Sequence, residues 1–374
     1  MIKIGFPRMH KEINEKRDFL PDFFKMLNKD NVEFYLEKGY GNELGFNEKD
    51  YSHSNPDIKF IENKECYEKD VVVVLRSPEF DEINYMRDGS ILVSMLHYAT
   101  RIKRRKLLIQ KNIYCVSLDS LRNDSLERIV VNFDGTSSYG MGVAFGELSK
   151  SMSDFYSKDR EFINVSIMGM GMIGFKAAHA ARIYGSQAFN NEMNLLKTKG
   201  VLIKMLPKNI TCDIEDMIKI LRETDILVDA STRENVCEYI LKNEYLKYLK
   251  PSSIILDLTA DPYLTDVTPI QVKAIEGIPT GTLDKYVIYP YDDLYKTIPD
   301  GVNATNRRTV VSCNAWPGVS PLDCMKVYGQ QLFPIINKII LTDVNKHSIQ
   351  DSNYFIRAIY RASLKCFEID NPNL

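Results

Sequence analysis

Three glycines give the first chemical signal in this 374-residue chain. Gly169, Gly171 and Gly174 stand in G-x-G-x-x-G spacing within the run Ile163-Asn164-Val165-Ser166-Ile167-Met168-Gly169-Met170-Gly171-Met172-Ile173-Gly174. Each glycine has a task. The first makes a tight turn, the second lets a pyrophosphate touch the backbone, and the third lets a helix pack close to a strand. The context agrees: Ile163, Val165 and Ile167 predict a buried strand before the loop, and Ala177, Ala178, Ala180 and Ala181 a close-packing helix after it. The start of that helix, at Met172 and Ile173, offers unpaired N–H groups and a positive dipole end to a phosphate. A later strand closes on Asp229 and Ala230, which join the cofactor-binding candidates because ligands of parallel sheets lie beyond the carboxyl ends of strands.

Which dinucleotide would bind stays open at this level. A NAD site usually carries an acidic residue at the tip of the second strand. Here that strand is predicted over Val201–Leu206, after a long helix running through Asn190 and Lys197, and its tip is Leu206-Pro207-Lys208. Lys204 and Lys208 suit a 2′-phosphate and lean the reading slightly toward NADP, while Glu192 falls near the expected distance on a helix.

The elements that must position such a site follow an α/β rhythm. Predicted strands at 2–6, 32–36, 58–61, 71–75, 91–96 and 113–116 alternate with helices, which implies a parallel sheet wrapped by helices. Val71-Val72-Val73-Val74-Leu75 lacks polar alternation, as a central strand covered on both faces does. Turn-forming residues 134–140 precede a helix expected over about 141–156 that leads into the glycine-loop unit. Further strands are predicted at 201–206, 226–229, 254–258, 287–288 and 309–312, then helices over 323–340 and about 353–367.

Composition narrows the function. A hydrophobic fraction of 44%, a charged fraction of 26% and a net charge of −2 describe an ordinary globular chain with no call for a nucleic-acid or membrane partner. The basic run Arg101 to Lys106 reads as a solvated helix face. Seven scattered cysteines without a C-x-x-C fit reduced thiols in a cytoplasm and no metal site. The N-terminus reads as a strand without the layout of a signal peptide, and the longest apolar run is too short to span a bilayer.

Several stretches together resemble the alanine dehydrogenase / pyridine nucleotide transhydrogenase superfamily, which includes saccharopine dehydrogenase and N5-(carboxyethyl)ornithine synthase. They are Ile4-Gly5-Phe6-Pro7-Arg8-Met9-His10-Lys11 through Asn14-Glu15-Lys16-Arg17, then Glu37-Lys38-Gly39-Tyr40-Gly41, Val73-Val74-Leu75-Arg76-Ser77-Pro78 and Ser94-Met95-Leu96-His97. The glycine fingerprint and Leu256-Asp257-Leu258-Thr259-Ala260-Asp261 complete the series.

The resemblance implies a two-domain α/β chain: a flavodoxin-like substrate domain over 1–136 and 318–374, and a Rossmann domain over 137–317, with a cleft between two doubly wound parallel sheets. It implies that Arg17 grips a substrate carboxylate, that His97 moves the proton accompanying hydride transfer, and that Asp261 faces the substrate amine. Arg76 stands where the family has a lysine. An arginine can clamp a carboxylate but cannot shuttle a proton, so Arg76 is assigned a binding role with a catalytic one in question. His10, His53, His179 and His347 are read as structural. Arg307 and Arg308 are divided evenly between an acidic substrate and solvent, and Trp316 is read as packing.

The implied activity is NAD(P)-dependent chemistry at a CH–NH bond of an amino acid, with an opine- or saccharopine-type secondary amine ahead of alanine-type deamination. A 2-oxo acid would be the second small-molecule partner, and a homo-oligomer is a further expectation. The rival is a nucleotide-binding regulatory protein that has lost the chemistry.

Overall fold

Short β-branched and aromatic runs, spaced by helices, build two separate sheets. The structure is a computed structural model and describes residues 1–28, 30–233, 235–259, 261–265 and 267–372. The chain divides into one unit of Met1–Val131 with Ser320–Leu374 and another of Asn132–Val319. The boundaries expected from sequence were 136/137 and 317/318.

The first unit holds β1 (Ile2–Phe6), β2 (Val32–Glu37), β3 (Lys59–Ile61), β4 (Val71–Arg76), β5 (Ile91–Met95) and β6 (Tyr114–Ser117). Their order is β3-β2-β1-β4-β5-β6, and every neighbouring pair is parallel. Val71 to Leu75 are buried at the sheet centre, as an all-apolar strand requires. The returning helix Pro321–Leu341 buries Leu332, Ile335, Ile336 and Ile339 in the same core as Phe6, Phe23 and Phe24. This order keeps the flavodoxin-like arrangement and extends it by one edge strand. A flavodoxin sheet runs 2-1-3-4-5, and the three-residue edge strand β3, added outside β2, turns that sequence into 3-2-1-4-5-6.

The second unit holds β7 (Ile163–Met168), β8 (Val201–Leu206), β9 (Ile226–Asp229), β10 (Ile254–Asp257), β11 (Val287–Ile288) and β12 (Thr309–Val311). The order is β11-β12-β10-β9-β7-β8, parallel except for the β11–β12 pair. The chain runs outward from β7 to β8, then reverses to β9 on the other side of β7. Such a reversal opens a crevice at the carboxyl ends of the strands.

Three local expectations change. The helix expected from 141 spans Phe133–Ser151, because Asn132 caps it through Gly135 N–H at 2.9 Å. The small residues that read as a turn serve packing instead: a Cβ on Gly135 would meet Trp316, and one on Gly140 would meet Leu256 and Leu258. The long helix after the glycine loop is two, Met172–Arg182 and Gln187–Leu195, broken at Tyr184-Gly185, both with positive φ, and restarted by the Ser186 cap. The last helix is also two, Tyr354–Arg361 and Leu364–Asp370.

Candidate functional site

In the second unit the glycine loop forms one wall of a cleft of about 780 Å³. Gly169, Met170 and Gly171 face Ala230, Ser231, Thr232 and Arg233 from the exit of β9, and the tip of β8 adds Leu206, Pro207 and Lys208. Gly169 has φ of 103°, and a Cβ there would sit 2.4 Å from the Ala230 carbonyl oxygen. A Cβ on Gly174 would lie 2.4 Å from the Gly169 carbonyl oxygen. Gly171 differs: a Cβ there would meet nothing within 4 Å, so open space lies over its backbone. No side chain caps the helix that starts at Met172, which leaves its first N–H groups for an anion. The open backbone, the uncapped helix start and the switch-point location fit a dinucleotide pyrophosphate.

Several cofactor candidates lie outside the cleft lining. Asp229 is completely buried and does not line the cleft. Its Oδ1 turns back to accept from Ser231 N at 3.1 Å and Ser231 Oγ at 2.6 Å, so it shapes the wall from below. Lys204 is engaged by Glu223 and is not a wall residue, whereas Lys208 is. Glu192 is exposed on its helix and does not line the cleft. Met172, Ile173 and Gly174 stay in the first turn of the helix without forming the wall.

At the exit of β10, Asp261 is held by Arg233, Nη2 to Oδ2 at 2.6 Å. The same guanidinium donates to the carbonyls of Val272 at 2.7 Å and Glu238 at 2.9 Å. Arg233 thus ties the cleft wall to Asp261, and no sequence pattern announced it. Ala260, part of the motif read from sequence, lies outside the described residues. Arg307 and Arg308 prove to be braces: Arg307 donates to Ala304 and Pro290 carbonyls, Arg308 to Leu249 and Lys250 carbonyls. Trp316 is buried against the helix Phe133–Ser151, as a packing residue.

In the first unit His97 follows β5 with φ of 49°. That left-handed conformation is costly for a residue with a Cβ and is held by the local turn: the His97 carbonyl accepts from Thr100 N at 3.0 Å and Arg101 N at 3.1 Å. Its Nδ1 lies 3.5 Å from Asp119 Oδ2, and Asp119 Oδ1 accepts from the His97 N–H at 3.2 Å and from Ser117 Oγ at 2.6 Å. Burial pushes the imidazole pKa below its ordinary 6.5, with Arg101, Arg128 and Arg76 adding to the fall against the pull of Asp119. At neutral pH His97 is therefore a neutral base. Asp119 is kept in its charged form, because His97, Ser117 and Arg128 outweigh the cost of its burial.

The cations around His97 come from scattered places. Arg76 ends β4; its N–H faces Met9 Sδ at 3.3 Å. Arg128 has a buried Nε without a hydrogen-bond partner. Tyr328, on the returning helix, has its pKa raised chiefly by burial while feeling the charges of Arg128, Arg17 and Arg76. The structure thus brings Arg17, Arg76 and His97 into one electrostatic neighbourhood and adds Asp119, Arg101, Arg128 and Tyr328. The run 101–106 is solvated in part: Lys103 and Lys106 are exposed as expected, whereas Arg105 is buried over the Phe367 ring and Arg104 lies over Phe80.

Arg17 itself is buried, with Nε at 2.5 Å and Nη2 at 2.6 Å from the two oxygens of Glu15. Burial alone would lower its pKa, but Glu15 and Glu12 outweigh it and raise it. The edge that would fork onto a substrate carboxylate therefore already forks onto Glu15. His10 is structural as read, bonded to Glu37 at 2.6 Å, and buried His347 pairs with Thr342 Oγ1 at 2.8 Å. Among the described residues no cluster of side chains is arranged for a metal ion, and no helix is long and apolar enough to cross a membrane.

Fold and site together define a two-unit α/β chain, one unit built to take a dinucleotide and the other presenting an imidazole among guanidinium groups. Residues 9–135 match the family described as alanine dehydrogenase/PNT, N-terminal domain. Alanine dehydrogenase of Geobacillus stearothermophilus is 22% identical over 356 residues, 87% of this chain and 95% of that one. Alanine dehydrogenase of Bacillus subtilis (strain 168) is 23% identical over 271 residues, 69% of this chain and 70% of the other. Among solved structures, an L-alanine dehydrogenase superposes with a TM-score of 0.66 at 15% identity, covering 97% of this chain and 94% of that one. A transhydrogenase from Sinorhizobium meliloti gives 0.60 at 15% identity, over 90% and 94%. These two likenesses speak for the fold. Residues 9–135 are thus similar to the alanine dehydrogenase/PNT N-terminal domain, and most of the chain is similar to alanine dehydrogenases.

Proposed function

We propose that the chain is a nicotinamide-dependent oxidoreductase acting on the CH–NH bond of an amino acid, in the opine- or saccharopine-type form that joins an amino-acid amine to a 2-oxo acid. The observation that carries this reading is the gathering of Arg76, Arg101 and Arg128 around His97, with Asp119 as the carboxylate that faces the imidazole. A site of that composition suits a substrate with more than one carboxylate, since each guanidinium offers a planar fork to an anion.

The bound dinucleotide supplies or accepts the hydride. The chain's own residues do the rest. Neutral His97 takes the amine proton in the oxidative direction and returns it in the reductive one. Asp119 fixes the ring and steadies the imidazolium. Arg76 and Arg128 hold carboxylates; Arg17, engaged by Glu15, contributes charge and holds its loop. Asp261 is held at the exit of β10 by Arg233. For the cofactor we read NADP: Lys208 lines the cleft at the tip of β8, and Glu238 is the wall residue that carries a carboxylate. The test is absorbance at the reduced-nicotinamide band with NADPH or NADH, a panel of 2-oxo acids, and either ammonia or amino-acid amines. Turnover with amino-acid amines supports the reading. Turnover with ammonia and pyruvate alone moves it to the alanine-type reaction that the names of the relatives favour. Dinucleotide binding without turnover on any pair would leave a regulatory protein.

A further inference from the structure

Beneath the dinucleotide cleft, two buried carboxylates share one buried cation. Asp229 and Asp257 end neighbouring parallel strands as register partners, and both are sealed from solvent. Each spends one oxygen on the exit of its own strand: Asp229 on Ser231, and Asp257 on Thr259 N at 3.0 Å and Thr259 Oγ1 at 2.8 Å. Lys273 Nζ closes on Asp257 Oδ2 at 2.7 Å. Asp229 Oδ2 is buried with no hydrogen-bond partner.

Among the described residues no second cation is in contact with Asp229. Its register partner in β7 is Met168, which is apolar. Asp257 faces it from β10, and Asp261, itself held by Arg233, acts on it from beyond that strand. Lys273 feels Asp229 and Cys313 besides the aspartate it bonds. Two buried anions and one ammonium are short of one positive charge, and a proton on the orphaned oxygen restores the balance. Burial, then the Asp257 charge, pushes the Asp229 carboxyl up to about 7.

We propose that Asp229 is a proton-binding site linked to the redox state of the dinucleotide in the cleft above it. The inference rests on the dinucleotide reading. The link is short: Ala230 and Ser231, which follow Asp229 directly, form the cleft wall, and Ser231 is bonded to its carboxylate. An oxidised nicotinamide is a cation and a reduced one is neutral. A positive charge over the carboxyl ends of the strands favours the ionised form of Asp229, so Asp229 loses its proton to the buffer with the oxidised form bound and keeps it with the reduced form.

The experiment is calorimetric titration of the full chain with oxidised and with reduced dinucleotide, in two buffers of different ionisation heat, near neutral pH. Asp229→Asn, which keeps the oxygen that accepts from Ser231, is measured beside the native chain. The oxidised form is expected to release a larger fraction of a proton than the reduced form. The ratio of oxidised to reduced Kd is expected to fall about fivefold between about pH 6 and pH 8, within the tenfold per pH unit that one linked proton allows. Both effects are lost in Asp229→Asn. Equal proton counts in the native chain, or a difference that survives the substitution, overturn the proposal alone. No binding heat with either dinucleotide overturns the cofactor reading and this proposal with it.

Discussion

Gly171→Ala separates packing from phosphate contact within a single fingerprint. The added Cβ has open space, and the backbone there has φ of −75°, which alanine accepts. Two small stability effects oppose each other. Alanine restricts the unfolded chain, a gain of about 0.4–1 kcal/mol, and it is a poorer helix cap than glycine, a loss of about 0.5–1 kcal/mol. Folding stability should therefore change by less than about 0.5 kcal/mol. The same methyl occupies the space a pyrophosphate needs against the backbone. Forfeiting one or two charge-assisted hydrogen bonds, about 2–3 kcal/mol, weakens dinucleotide binding by about 30- to 150-fold. Gly169→Ala and Gly174→Ala are the controls, since each would press a Cβ to 2.4 Å from a carbonyl oxygen. Each should lose roughly 2–4 kcal/mol of stability, the cost of strained backbone and overpacking. Urea unfolding and titration with reduced-nicotinamide fluorescence read the two quantities separately. If Gly171→Ala binds dinucleotide as tightly as the native chain, the loop is a packing turn and the phosphate argument fails.

Lys273→Met leaves Asp229 and Asp257 buried without their ammonium, and should cost roughly 3–5 kcal/mol in urea unfolding at pH 8. The sign follows from Asp229, whose folded pKa is raised: stability is fullest at low pH and is lost as pH rises through the folded value, so the deficit should shrink as pH falls from 8 toward 5. Because burial and the neighbouring arginines lower the His97 pKa, the acid limb of the amine-oxidising rate should lie below pH 6.5. Asp119→Asn removes the influence that raises it and should move that limb further down in a pH–rate profile; an upward shift would contradict the electrostatics. Lys208→Ala should weaken NADPH by about tenfold, one charge-assisted hydrogen bond, and leave NADH unchanged. Equal loss for both would place Lys208 on the shared phosphates.

The parts of this molecule that were legible in sequence are those encoded by local pattern. The strands of both sheets show as short apolar runs, and the glycine loop shows as a turn between strand and helix, where Gly169 and Gly174 answer close backbone approach. What misled was composition without context. Residues 134–140 contain glycine, serine and threonine and read as a turn, yet Asn132 caps a helix there and the small residues admit Trp316 and Leu256. The edge strand β3, expected at 58–61, was legible in spite of its three residues, while its place outside β2 depends on pairing that no local pattern encodes.

The basic site was half visible for a different physical reason. Arg17, Arg76 and His97 sit in recognisable wording, but what sets the protonation of His97 is its burial, together with Asp119 after β6 and Arg128 further along the chain. None of those positions has a local signature, because a field is summed over space and not along the chain. The same holds for Arg17, whose charge was foreseen and whose partner was not: Glu15, two residues away, fills the fork that the substrate was expected to fill. A residue's chemistry can thus be read from its type, whereas its availability depends on neighbours that only the fold supplies. Arg128, with a buried Nε lacking a hydrogen-bond partner, and Arg17, whose Nε is taken by Glu15, are chemically alike and differ in availability on this ground.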